Sequence, residues 1–129
     1  MSRNPFGHVD VRVPDRAAGR AFYSRLLSAL GFESERTDPT WDCFVGAGSL
    51  PSAPFLALTE DPEHRPNDNR VAFWAEDPAA VDRVGALLHE LGATIESGPR
   101  ACPEYSASYY AVFFRDPGGN ALEVYYRVD

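Results

Sequence analysis

The sequence predicts an α+β chain of two βαβββ modules, forming a curled mixed sheet with a shared cavity. Two observations carry this. A strand, a helix N-cap, a helix and a terminating glycine recur in phase: His8 to Arg70 and Asp15 to Asp77 are each 62 residues apart, and Gly31 to Gly92 is 61. The last stretch, Tyr109–Tyr126, reads as two strands rich in aromatic and β-branched residues around the turn Asp116-Pro117-Gly118-Gly119-Asn120. The modules are expected over about residues 6–60 and 70–129, with a linker over 61–69.

The elements follow in order. His8–Val13 alternates, with Val9, Val11 and Val13 on an apolar face and His8, Asp10 and Arg12 on a polar one. Asp15 suits an N-cap for a helix over Arg16–Leu30, whose apolar side carries Ala18, Phe22, Leu26 and Ala29, and Gly31 fits its C-terminal stop. Short strands are expected near Phe32–Arg36, Asp42–Val45 and Phe55–Thr59. Glu60–Asn69 has two prolines and no apolar periodicity, so it reads as the linker. In the second module Arg70–Ala75 alternates. Asp77 precedes a helix over Pro78–Leu91 striped by Val81, Val84, Leu88 and Leu91, and Gly92 ends it. Strands follow near Ala93–Glu96, Tyr109–Arg115 and Ala121–Tyr126. Gly19 and Gly85 interrupt the two helices, as a close helix–sheet approach would require.

Composition narrows the function. The 129 residues are 44% hydrophobic and 24% charged, ordinary for a globular domain, and no apolar run approaches the length of a membrane span. The opening MSRNPFGHVD lacks the apolar core of a signal peptide, so a cytoplasmic location is expected. A net charge of −7 argues against nucleic acid and anionic membranes as partners. All twelve basic residues are arginine. The absence of lysine excludes Schiff-base chemistry, pyridoxal-phosphate attachment and a P-loop. Cys43 and Cys102 have no metal-binding or redox spacing.

Glu123 is the anomaly, an acid between Leu122 and Val124 near the end of a half-buried strand. It is either a solvated outer-face residue or a carboxylate aimed into a cavity as metal ligand, base or ion-pair partner. With one helix covering one face of each sheet, the faces bearing His8, Arg70 and Glu123 are left without a helix. Asp10, Arg12 and Trp74 share the strand face of His8 or Arg70 and are candidates to line a pocket. Trp41, the Tyr105/Tyr109/Tyr110 cluster and Tyr125 are candidates to contact a ligand, with Tyr110 and Tyr125 the two expected at the site itself. His89 lies off its helix stripe and is expected to be exposed.

On these residues the sequence resembles the vicinal oxygen chelate superfamily, the glyoxalase, bleomycin-resistance and extradiol-dioxygenase group. The resemblance rests on His8 in the first strand, Phe22-Tyr23-Ser24-Arg25-Leu26-Leu27 with Leu30-Gly31-Phe32, and Asp116-Pro117-Gly118-Gly119-Asn120 followed by Glu123. It covers nearly the whole chain. It implies metal ligands at His8, Arg70, Ala57 and Glu123, of which only His8 and Glu123 can ligate a metal. An arginine cannot, and would repel a cation.

Arg70 reads either as a salt bridge to Glu123, in bidentate geometry, or as an anchor for a ligand carboxylate or phosphate. A shifted register, with His64 supplying a ligand instead, is the remaining alternative. Three functions compete. The first is binding of a small, aromatic or anionic molecule with no cofactor. The second is a lyase, isomerase or dioxygenase using Zn, Ni, Mn or Fe on His8 and Glu123, with Glu123 as the catalytic carboxylate. The third is a non-catalytic dimer with an empty groove. The absent ligands favour the first, and Arg70→His is expected to restore a metal triad. The resemblance also implies a homodimer.

Overall fold

The structure is a computed structural model that describes residues 5–48 and 52–129. The first four residues of the opening stretch, read above for a leader, lie outside the described residues. The chain divides into two compact units, Met1–His64 and Arg65–Asp129, with the division inside the expected linker. No helix among the described residues is long and apolar enough to cross a membrane.

The first unit runs β1 (His8–Val13), α1 (Arg16–Ala29), β2 (Ser34–Thr37), β3 (Trp41–Val45) and β4 (Phe55–Glu60). Its four-stranded sheet has the order β1-β4-β3-β2, with β1 parallel to β4 and the other pairs antiparallel. The second unit repeats the plan with β5 (Arg70–Trp74), α2 (Pro78–Glu90), β6 (Thr94–Ala101), β7 (Tyr110–Arg115) and β8 (Ala121–Tyr126), in the order β5-β8-β7-β6. The curled sheet expected from the sequence is thus two four-stranded mixed sheets, one in each unit.

Both helices start as expected. Asp15 accepts the Ala18 N–H and Asp77 accepts the Ala80 N–H, each at N3 of its helix. Gly31 and Gly92 follow at φ of +91° and +68°, where a side chain would be strained. The buried face of α1 is Gly19, Phe22, Tyr23, Leu26 and Leu27. Ala29, assigned to that face from the sequence, is exposed, because the stripe runs through Tyr23 and Leu27 instead. In α2 the buried residues are Val81, Val84, Gly85 and Leu88, and His89 is exposed. Glycine lets both helices approach their sheets. A Cβ on Gly19 would meet Val13 Cγ2 at 3.1 Å, and one on Gly85 would meet Pro99 Cγ at 2.6 Å.

Several boundaries differ from expectation, and two of them have a clear cause. Glu60 belongs to β4 rather than to the linker, and its carboxylate accepts the Arg16 backbone N–H at 2.9 Å. Strand β6 continues past Glu96, where the expected strand ended, through Ser97-Gly98-Pro99. It is an edge strand, where a proline without an N–H is tolerated, and it shifts register against β7 on either side of Ser97. Gly98 lies at φ +89°, and a Cβ there would fall 2.3 Å from the Ala111 carbonyl oxygen.

Candidate ligand-binding site

Strand parity builds the site on the side of the second sheet away from α2. Leu122 and Val124 are buried in the core, and Val112 and Phe114 of β7 are fully buried as well. Glu123 points the opposite way. It sits on the internal strand β8, with Ala72 of β5 beside it on one side and Phe113 of β7 on the other. Ala111 and Phe113 share that side. They pack with Cys102, Tyr109 and Tyr125 in a cluster separate from the core under the helix.

Glu123 is only 5% exposed, so it is not the solvated outer-face carboxylate that was one reading of the sequence. A buried carboxylate needs partners, and its two oxygens are divided. Oε2 accepts the Tyr109 hydroxyl proton in a short hydrogen bond. Oε1 lies 3.9 Å from Arg70 Nη1, an ion-pair distance too long for a hydrogen bond. The expected bidentate Arg70–Glu123 fork is therefore absent. Tyr109 takes one oxygen, and Arg70 leans over the Phe113 ring, its Cζ 5.0 Å from the centroid.

Among the described residues the Arg70 guanidinium has no hydrogen-bond acceptor, and its side chain is 41% exposed. Arg100 also lies against Phe113, at 5.8 Å, but three of its donors are committed to Ser97, Ala101 and Glu104.

Aromatic rings hold this arrangement. Tyr109 stacks on Tyr125 at 5.1 Å and 6°, and Tyr105 leans on Tyr109 at 5.1 Å. Burial first, then donation to Glu123, push the Tyr109 phenol well above its ordinary 10.0. It is a fixed donor, held protonated at neutral pH. Burial likewise raises the Cys102 thiol, with Arg100 opposing, and its Sγ lies 3.6 Å from the Arg100 carbonyl oxygen.

The structure therefore brings Arg70, Trp74, Glu123 and Tyr125 to one side of one sheet. Tyr110 does not join them. It faces the helix, and its hydroxyl donates to Asp82 Oδ1 of α2 at 2.6 Å. Tyr109 is the tyrosine that reaches Glu123, and parity offered the signal, since Tyr109, Ala111 and Phe113 alternate with Tyr110, Val112 and Phe114. His8, Asp10 and Arg12 lie on β1 of the first unit. There His8 stacks flat on Phe55 at 4.5 Å, Asp10 accepts from Thr59 Oγ1 at 3.0 Å, and Arg12 is exposed.

Within the second unit the donor set does not fit a metal. Glu123 Oε2 is taken by Tyr109, Oε1 faces Arg70 at 3.9 Å, and that permanent cation would repel a metal ion. Among the described residues no group of three or more His, Cys, Asp or Glu side chains is placed to hold a metal ion.

A family model described as Glyoxalase/Bleomycin resistance protein/Dioxygenase superfamily matches residues 6–124. The chain belongs to this superfamily. No curated protein matches it. Solved structures do. A putative glyoxalase from Bacillus halodurans is 24% identical, covers 96% of this chain and 96% of its own, and has a TM-score of 0.77. A glyoxalase/bleomycin resistance protein from Albidiferax ferrireducens is 25% identical over 97% of this chain and 100% of its own, also at 0.77. A mutant of a fosfomycin resistance protein from Listeria monocytogenes, complexed with Mn(II) and 1S,2S-dihydroxypropylphosphonic acid, is 18% identical over 95% of this chain and 90% of its own, at 0.71. At these identities superfamily likeness speaks for the fold, and function rests on the site.

Proposed function

We propose that this superfamily member binds a small organic anion through Arg70, with no metal on Glu123. The carrying observation is the state of the Arg70 guanidinium. It is half exposed, backed by Phe113 and by a carboxylate 3.9 Å away, and it has no hydrogen-bond acceptor among the described residues. A guanidinium presents five N–H donors in a planar fork matched to carboxylate and phosphate. Glu123 keeps this cation in place without saturating it, and Tyr109 holds the carboxylate still. The roles form a chain: Tyr109 orients Glu123, Glu123 and Phe113 orient Arg70, and Arg70 meets the ligand.

Calorimetric titration of inorganic phosphate and benzoate into the wild type and Arg70→Gln tests this. A hydrogen-bonded charge contributes enough that the substitution is expected to weaken anion binding by about tenfold or more. Elemental analysis of protein purified without chelator is the second arm. Stoichiometric Zn, Ni, Mn or Fe that is lost in Glu123→Ala would overturn the metal-free reading and favour the lyase, isomerase or dioxygenase chemistry of other superfamily members.

A further inference from the structure

We infer that the ligand is an elongated amphipathic anion, its carboxylate on Arg70 and a flat apolar body laid along β5 towards Trp74, with Ala72 setting how much body is accepted. The inference rests on Arg70 being the anion anchor. Arg70, Ala72 and Trp74 alternate on one side of β5, and all three are exposed. Arg70 and Trp74 are four residues apart, which places their Cα atoms roughly 13 Å from each other along the strand. Between them stands only the Ala72 methyl group, so the strip is open.

Trp74 is 56% exposed, a large apolar surface at the far end of the strip. Its neighbour across the ladder is Tyr125, half-buried and already stacked on Tyr109. Ala72 stands beside Glu123 in the same ladder. That carboxylate is buried, with Oε2 accepting from Tyr109 and Oε1 at ion-pair distance from Arg70. Its charge is thus buried and balanced rather than presented to a body lying over Ala72. The strip is cationic at one end, small and neutral in the middle and aromatic at the other end. That sequence of surfaces complements an aryl-alkyl carboxylate.

Benzoate, 3-phenylpropanoate and 5-phenylpentanoate, titrated calorimetrically, test the length of the site. Affinity is expected to rise along the series, by about fourfold for each methylene that becomes buried. In Ala72→Leu the branched side chain fills the strip, and the affinity ratio of 5-phenylpentanoate to benzoate should fall towards one. Trp74→Ala removes the far stacking surface and should lower the same ratio, which keeps the test decisive should Ala72→Leu fail to fold. Equal affinity for all three acids, or an unchanged ratio in the folded variants, overturns this inference and leaves Arg70 as an anion anchor. No binding of any of the three to the wild type overturns both.

Discussion

Among the described residues each unit buries one acid within a strand of its sheet, and these two acids face opposite ways. In the first unit it is Asp42, 2% exposed, on the helix side of β3. In the second it is Glu123, on the side away from the helix. Asp42 is locked by Arg16, whose Nε donates to Oδ2 at 3.0 Å while its other nitrogens donate to the Pro39 and Asp38 carbonyl oxygens at 2.8 and 2.5 Å. That guanidinium staples the start of α1 to the β2–β3 turn and has little left to offer a ligand. Arg70 holds Glu123 at 3.9 Å and makes no hydrogen bond among the described residues. A buried acid whose cation is tied to it at hydrogen-bond distance is scaffold. One whose cation stands off at 3.9 Å and is partly exposed is the arrangement on which the proposed anion site rests.

The ladders make the comparison residue by residue. Ala57 pairs with Asp10 and Cys43, as Glu123 pairs with Ala72 and Phe113. The first unit therefore carries a methyl group where the second carries its carboxylate. Conversely, Asp42 pairs with Leu58 as Val112 pairs with Val124. The helix-side acid of one unit is a valine in the other.

The largest effect expected to break this contrast comes from Asp42→Ala. Removing one partner of a buried pair leaves the other uncompensated, so urea unfolding should show a loss of about 3–5 kcal/mol. Tyr109→Phe is expected to cost about 1.5–3 kcal/mol, the range for a hydrogen bond to a charged group. The same variant sharpens the contrast in pH. The Tyr109 phenol keeps its proton in the folded chain above pH 10.0, where the unfolded chain releases it. Wild-type stability should therefore fall as pH rises beyond that point, and Tyr109→Phe should lack this component when urea midpoints at neutral and alkaline pH are compared.

Smaller effects come from the helix glycines. Gly85→Ala drives a Cβ to 2.6 Å from Pro99 Cγ, and an overpacking loss of about 1–3 kcal/mol is expected by thermal or urea unfolding. Gly19→Ala is tight only against Val13 Cγ2 at 3.1 Å, with Leu58 at an ordinary 3.5 Å, and the gain in helix propensity of about 1 kcal/mol offsets the crowding, leaving a change near zero.

Much of this was legible in the sequence for a physical reason. Period, caps and stop glycines are local signals, and they recur in phase because the two units share one plan. The equivalence of His8 with Arg70 followed from that phase and that of Ala57 with Glu123 from the superfamily resemblance, and the ladders reproduce both. What escaped depends on distant partners. Asp42 reads as an ordinary strand residue until Arg16, 26 positions earlier, lies against it. Tyr109 and Tyr110, both candidates, are one residue apart, and that step inverts the side of the sheet each faces. The long β6 was hidden because its course through Pro99 depends on an edge position, where a residue without an N–H is tolerated.

The two cysteines add a kinetic dimension to the comparison of the units. Each unit has one, Cys43 in the first and Cys102 in the second, both buried and both with burial raising the thiol. Each packs in the cluster on the side of its sheet away from the helix. A thiol reagent reaches such a sulfur only when the surrounding structure opens. Two single-cysteine variants would thus carry two internal clocks, each timing the opening of its own half. An anion seated on Arg70 should slow the Cys102 clock, because a ligand that binds only the closed arrangement makes opening rarer.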